Sequence, residues 1–380
     1  MRHNILFRSL GLFLLMAGML VAGCSGGGDD MVEEVPTTDP SACATINYSE
    51  ENATVTCQLT KPGESTTVNS VDLNEIIDQL AQFQVTKNTV VWFQLWGANG
   101  GEGSNSDGGQ AGKIGYSQMI TSVADFESRG EEGSVIYFYL GQHGTHNTNS
   151  GGQGGASSFV TTEDMSQNPG SDPDTAQILM IAGGGGGGGG SNTANFCEGG
   201  TKGKNGGDGG LAFSSTTSVG SGPGGDGGSD PNTDNDGKGG DAGSGGTGHS
   251  HNGHDGFGGR GGDGGKSGLG TTSWINTGAT PLTFSAGEGA AGDDLQNTSC
   301  VSGGGGGGGG WGGGGGGGYA QNVIGGPQFP YAGGGGGGAS YSIKSSQTDG
   351  RAPQQEGGLP VNPNGATGFI QLVFDFAPDP

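Results

Sequence analysis

Fifteen of the sixteen residues from 303 to 318 are glycine; Trp311 interrupts them and Tyr319 follows. Pure glycine also fills 183–190 and 333–338. Such runs have no side chains to bury, and glycine loses more backbone entropy on ordering than any other residue. A flexible linker is the default reading. A second pattern opposes it. Gly-Gly-X triplets occur at 206–210 (GGDGG), 224–228 (GGDGG) and 258–266 (GGRGGDGGK). Three residues per turn, rising about 3.1 Å each with no internal hydrogen bonds, is the geometry of a polyglycine II helix. All its N–H and C=O groups point outward and need partners. Packing such helices side by side supplies them, and only glycine allows the approach. The expected product is a bundle with pure glycine inside and Asp208, Asp226, Arg260, Asp263 and Lys266 facing solvent.

Glycine accounts for 94 of 380 residues, and hydrophobic residues for 29%. That is too little apolar material for an ordinary core of this size, so backbone hydrogen bonds must hold part of the chain. Collagen needs proline within the glycine tracts, and most of the 15 prolines lie elsewhere. A net charge of −24 argues against nucleic acid or anionic membrane surfaces as partners.

Residues 1–23 read as an export signal, with Arg2 and Arg8 ahead of an apolar stretch at 10–22. It ends Leu-Val-Ala-Gly-Cys, which resembles a bacterial lipobox, so Cys24 is the expected lipidation site. Ser25 follows, which in lipoproteins of Gram-negative type implies the outer membrane, with display at the cell surface. Residues 24–40 are glycine, acid and proline without apolar periodicity and read as a disordered tether. The other four cysteines favour disulfides in an exported chain. Cys43–Cys57 with Cys197–Cys300 is the preferred pairing of three; four free thiols are the alternative.

Residues 41–84 read as a small hairpin plus one short helix. Val55, Cys57 and Leu59 alternate with polar residues. Leu73, Ile76, Ile77 and Leu80 mark a helix over 72–83. Asp72 is placed to cap it, Glu75 to return the bond, and Val71 to pack on Ile76. Strands are expected at 89–96, 134–140, 177–182 and 369–376, all rich in β-branched and aromatic residues, with weaker ones at 115–123 and 156–161. Several are nearly continuously apolar, so both faces should be covered. The expected architecture is mainly β: one β-sandwich spanning 85–376, interrupted by glycine-rich excursions at 97–155 and 183–340, with a tail at 377–380.

The pieces VWFQLWGANGGEG (91–103), VIYFYLGQHG (135–144), GGQGGASSFV (151–160), 178–190 and 303–319 recur in that order in one known family. In them the chain resembles the glycine-rich extracellular domain of the anaplastic lymphoma and leukocyte tyrosine kinase receptors. Similar stretches occur in bacterial surface proteins and phage tail adhesins. The resemblance implies a sandwich of tumour-necrosis-factor type joined to a polyglycine II bundle, and a module that binds extracellular protein ligands. It implies no kinase activity. The nearest approach to a kinase Asp-Phe-Gly is Asp125-Phe126-Glu127.

No nucleophile elbow, metalloprotease helix or Cys–His pair is recognisable, so no catalytic residue is assigned. GGDGGKS at 261–267 lacks the first glycine of a phosphate loop, Arg260 standing there, and no strand precedes it. Asn232, Asp234 and Asp236 resemble the start of a calcium loop, but the closing glutamate falls on Gly243. Solvated loop acids are the default there and Ca²⁺ the alternative. His249, His251, His254 and Asp255 lie in a Gly/Ser-rich stretch with nothing to fix a metal geometry. Trp311 and Tyr319 are read as packing residues at the bundle ends. The expected function is a non-enzymatic, lipid-anchored surface module for an extracellular protein or glycan. A structural envelope spacer is the second reading and ice binding a weaker third.

Overall fold

The computed structural model describes residues 42–49, 53–59, 69–104, 106–128, 134–145, 151–162, 178–191, 202–224, 226, 299–323, 331–347, 362, 365 and 367–375. Cys24, the tether, Cys197, Asn232, Asp234, Asp236, the histidine cluster, GGDGGKS and the X positions Arg260, Asp263 and Lys266 lie outside these residues. So does the side chain of Cys300.

The protein is mainly β. Its strands in chain order are β1 (Thr45–Ser49), β2 (Thr54–Gln58), β3 (Asn69–Asp72), β4 (Val90–Trp96), β5 (Tyr116–Ser122), β6 (Val135–Tyr139), β7 (Ser158–Thr161), β8 (Ile178–Ala182), β9 (Lys202–Gly203), β10 (Leu211–Phe213), β11 (Gly220–Gly222), β12 (Ser299–Ser302), β13 (Ala320–Val323), β14 (Tyr331–Ala332), β15 (Ser340–Ser342) and β16 (Phe369–Asp375). Two six-stranded sheets result, ordered β1-β2-β16-β4-β5-β10 and β11-β15-β8-β7-β6-β3. The pairs β12–β13 and β9–β14 stand apart from them. Residues 41–84 contribute strands to both sheets: β1 and β2 extend the first beside β16, and β3 edges the second beside β6.

The alternation along β4 sorts its side chains. Val91, Phe93 and Leu95 enter one large apolar cluster with Val55, Met119, Ile370, Leu372 and Phe374 of the first sheet and Ile136, Phe138, Val160 and Leu179 of the second. Trp96, on the opposite face, forms a separate cluster with Tyr116, Phe369 and Ile114. Burial pushes the Tyr116 phenol well above its ordinary range, and its hydroxyl donates to Gln118 Oε1 at 2.8 Å.

Helix α1 (Leu73–Leu80) continues as a 3₁₀ turn over Ala81–Phe83. It buries Leu73, Ile76, Ile77 and Leu80 in the large cluster, the four positions its periodicity marks. Asp72 caps it, accepting from Asn74 N at 2.9 Å. The reciprocal bond expected of Glu75 is not among the described hydrogen bonds. Asp72 ends β3, so its backbone belongs to the ladder with β6, and Glu75 stays exposed. A second helix, α2 (Val123–Ser128), follows β5 directly and buries Val123 and Phe126. It occupies the Asp125-Phe126-Glu127 stretch, which is therefore a core-packing turn. The first expected disulfide is present: Cys43–Cys57 joins the start of the β1–β2 hairpin to its second strand, both cysteines buried.

Candidate functional site: the glycine lattice

Strands β4 and β8 run straight into glycine. Their continuations, 97–103 and 183–190, lie against one another, with Gly185 N donating to Ala98 O and Gly188 N to Gly101 O, both at 2.9 Å. Six further segments join them: 108–115, 151–155, 203–210, 303–310, 312–318 and 333–338. All are held by backbone hydrogen bonds between segments distant in sequence.

Segment 183–190 sits at the centre. Its N–H groups, taken in sequence, rotate through three neighbours. Gly184, Gly187 and Gly190 donate to Gly309, Gly306 and Gly303; Gly185, Gly188 and Ser191 to Ala98, Gly101 and Ser104; Gly186 and Gly189 to Gly207 and Lys204. Its carbonyls rotate through three others. Gly183, Gly186 and Gly189 accept from Gly115, Gly112 and Gly109; Gly184 and Gly187 from Gly338 and Gly335; Gly185 and Gly188 from Gly155 and Gly152. Every N–H from 184 to 191 and every C=O from 183 to 189 is used, at 2.7–3.2 Å. Six segments thus surround one, and partners recur every third residue.

Glycine is required here for space, not for an unusual backbone. Among the described glycines only Gly365 has a left-handed φ, at +71°. A Cβ on Gly187 would lie 1.9 Å from Gly152 O, and one on Gly314 2.0 Å from Gly336 O. No side chain tolerates either separation, and the obstacle is backbone that is itself hydrogen-bonded.

The lattice is fastened to the sheets in two ways. Trp311 stacks on Tyr341 at 4.6 Å and packs with Ile178, Ile181 and Phe159, while Ile114 joins the Trp96–Tyr116–Phe369 cluster. The placement of Trp311 agrees with its reading as a packing residue; Tyr319 is partly exposed. Serines form the second fastening. Ser340 Oγ donates to Gly210 O at 2.6 Å and accepts from Gly183 N at 2.8 Å. Ser117 Oγ donates to Tyr341 O at 2.7 Å, and Ser342 Oγ to Gln118 O at 3.0 Å, across the two sheets.

Asp208 and Asp226 are exposed, as their place in the triplets predicts. Asp208 does more than face solvent: its Oδ1 accepts from Lys113 N at 2.8 Å, as Asn205 Oδ1 does from Gln110 N and Asn99 Oδ1 from Ile114 N. The three-residue spacing of Asn205 and Asp208 was the available signal for this ladder. Among the described residues no group of three or more His, Cys, Asp or Glu is arranged to hold a metal. No described helix is long and apolar enough to cross a membrane. No family model matches the sequence, and no characterised protein is detectably similar to it.

Proposed function

We propose that the chain is a non-enzymatic, lipid-anchored surface protein whose glycine-rich module recognises an extracellular protein or glycan. In this reading the two sheets form a sandwich of tumour-necrosis-factor type, the glycine lattice is a polyglycine II bundle, and Cys24 carries the lipid at the outer membrane. The supporting observation is where the receptor-like sequence pieces fall. LWGANGGEG, YLGQHG, GGQGGASSFV and the run after β8 come from four separate parts of the chain and bond directly to one another. Gly144 N donates to Asn99 O, Gly101 N to Gln153 O, and Gly155 N to Gly185 O. Low-complexity sequence of merely similar composition has no reason to place these pieces together.

A stiff spacer without a ligand is the second reading, favoured by the use of every N–H from 184 to 191 and every C=O from 183 to 189. Ice binding fits less well, because exposed residues on the lattice include Asp107, Lys113, Lys202 and Asp208. Saturable binding of the fluorescent full-length protein to whole cells and to a glycan array, competed by unlabelled protein, separates the first two. Saturation with competition is the expected result; its absence on every surface leaves the spacer. Metabolic labelling with palmitate, lost in Cys24→Ser, together with digestion of the protein by protease added to intact cells, tests the anchor and its display.

A further inference from the structure

We propose that the exposed face made by residues 107–113 and 202–208 is a homotypic contact surface whose partner is a second copy of this chain. Two parallel segments build it. Gly203, Gly206 and Gly209 donate their N–H groups to the carbonyls of Asp107, Gln110 and Lys113 at 2.8–2.9 Å. The register is tightened by Asn205 Oδ1 on Gln110 N and Asp208 Oδ1 on Lys113 N. Every third residue therefore emerges on the same side. Asp107, Gln110 and Lys113 are exposed in one row and Lys202, Asn205 and Asp208 in the other. At about 3.1 Å per residue, each row spans about 19 Å.

The charges along the rows are complementary to themselves. One row runs negative, neutral, positive; its neighbour, at matching heights, runs positive, neutral, negative. A two-fold axis parallel to the segments, lying in the contact plane, sets each row against the opposite row of the other copy. Asp107 then meets Lys202, Gln110 meets Asn205, and Lys113 meets Asp208, each pair occurring twice. That is an isologous interface, in which residue i contacts j and j contacts i.

Elsewhere two such copies repel. The chain carries −24. Its described cations are Lys87, Lys113, Lys202, Lys204 and Lys344; Lys87 is paired with Glu127 at 2.8 Å and Lys204 is buried. Two of the remaining three stand on this face with two carboxylates, so its net charge is zero. None of the four charged side chains is in an ion pair within its own molecule among the described residues. Asp208 still has one carboxylate oxygen beyond the one on Lys113 N. Glu102 is exposed on the adjoining segment 97–103, outside the two rows.

Pairing of this kind is weak and screened by salt, because the Debye length falls from about 30 Å at 0.01 M to about 3 Å at 1 M. The test is sedimentation velocity on the full chain in a non-ionic detergent, at about 0.15 M and about 1 M salt. Dimer formation is expected at about 0.15 M, where a Debye length of about 8 Å screens the two chains' net charges from each other but not the contact pairs, and it should weaken about tenfold or more at about 1 M. Asp107→Lys alone and Lys202→Glu alone each abolish it, since each sets like charges opposite. An equimolar mixture of the two variants restores it, because the site of Asp107→Lys in one copy then faces the site of Lys202→Glu in the other, and opposite charges meet again. Melting curves matching the parent show that both variants fold. A monomeric parent at about 0.15 M salt, dimers indifferent to both substitutions, or a mixture that stays monomeric overturns the proposal. A change in melting temperature without a change in association does so too, by assigning these charges to pairing within one molecule.

Discussion

The apolar cluster to which both sheets contribute and the glycine lattice are both interiors, yet they are specified by opposite means. In the cluster, side chains fill the space and the backbone ladders sit at its edges. Phe93, Phe138, Leu372 and Phe374 are each at most 2% exposed, and their shapes decide the fit. In the lattice, backbone packs on backbone and the fit depends on there being no side chain. The first kind of interior tolerates exchange of similar shapes, because volume can be redistributed. The second has no similar shape to exchange. One ordered residue costs about 1–2 kcal/mol of backbone entropy, and one net hydrogen bond returns about 1 kcal/mol. The lattice is therefore marginal by itself and leans on the aromatic and serine fastenings to the sheets.

The sharpest way to break this comparison is a matched pair of substitutions. Gly187→Val places a Cβ 1.9 Å from Gly152 O and should abolish the cooperative thermal transition, an effect beyond about 4–5 kcal/mol. Leu372→Ile, equally buried, should cost less than about 1.5 kcal/mol. Equal melting of the two would mean that 183–190 is not packed as described. Reducing Cys43–Cys57, which closes a 14-residue separation, should lower stability by about 3 kcal/mol. Denaturant titration with and without reductant measures it, and the loss should be absent from a Cys43→Ala, Cys57→Ala variant. Ser340→Ala removes a partner from both Gly210 O and Gly183 N at the junction of the two interiors. It should cost about 1–3 kcal/mol, with faster amide exchange at 183–190 than in β4. The smallest effect belongs to a glycine of the other kind. Gly365 has φ +71° and nothing within 4 Å of its added Cβ. Gly365→Ala should cost about 1–2 kcal/mol through its backbone alone, and Gly365→Asn less than that.

Sequence reasoning reached the apolar interior more readily than the glycine one. β4, β6, β8 and β16 lie within a residue or two of their expected bounds because β-branched and aromatic residues cluster there. Helix α1 was legible because four apolar residues sit at helical spacing. Helix α2 was not, since six residues, VADFES, are too few to show a period. Strands β10, β11, β14 and β15 were missed for a different reason. Sequences such as GSG, YA and SYS carry no β signal and become strands only because a neighbour supplies the ladder. For the lattice, the triplet repeat pointed to segments lying side by side and joined by backbone hydrogen bonds, and to the exposed place of Asp208. It could not identify which segment bonds to which, because a run of identical residues contains no marker of register. Register comes instead from the ends, where Ser340 of β15 accepts from Gly183 N, Ala98 holds Gly185, and Ser191 bonds Ser104 at the other end of the run.

The six-fold enclosure of 183–190 also sets an order of events. Its partners come from residues as early as Ala98 and as late as Gly338. A chain emerging from its N-terminus has the β1–β2 hairpin, α1 and β4 long before this segment has a complete set of neighbours. Until Gly335 and Gly338 appear, the carbonyls of Gly187 and Gly184 respectively lack the donors they end with. Contacts of such separation are slow to form, and the apolar interior waits as well, because β16 (Phe369–Asp375), which lies between β2 and β4, emerges after Gly338; any truncation before residue 338 leaves the lattice open and the first sheet without its middle strand.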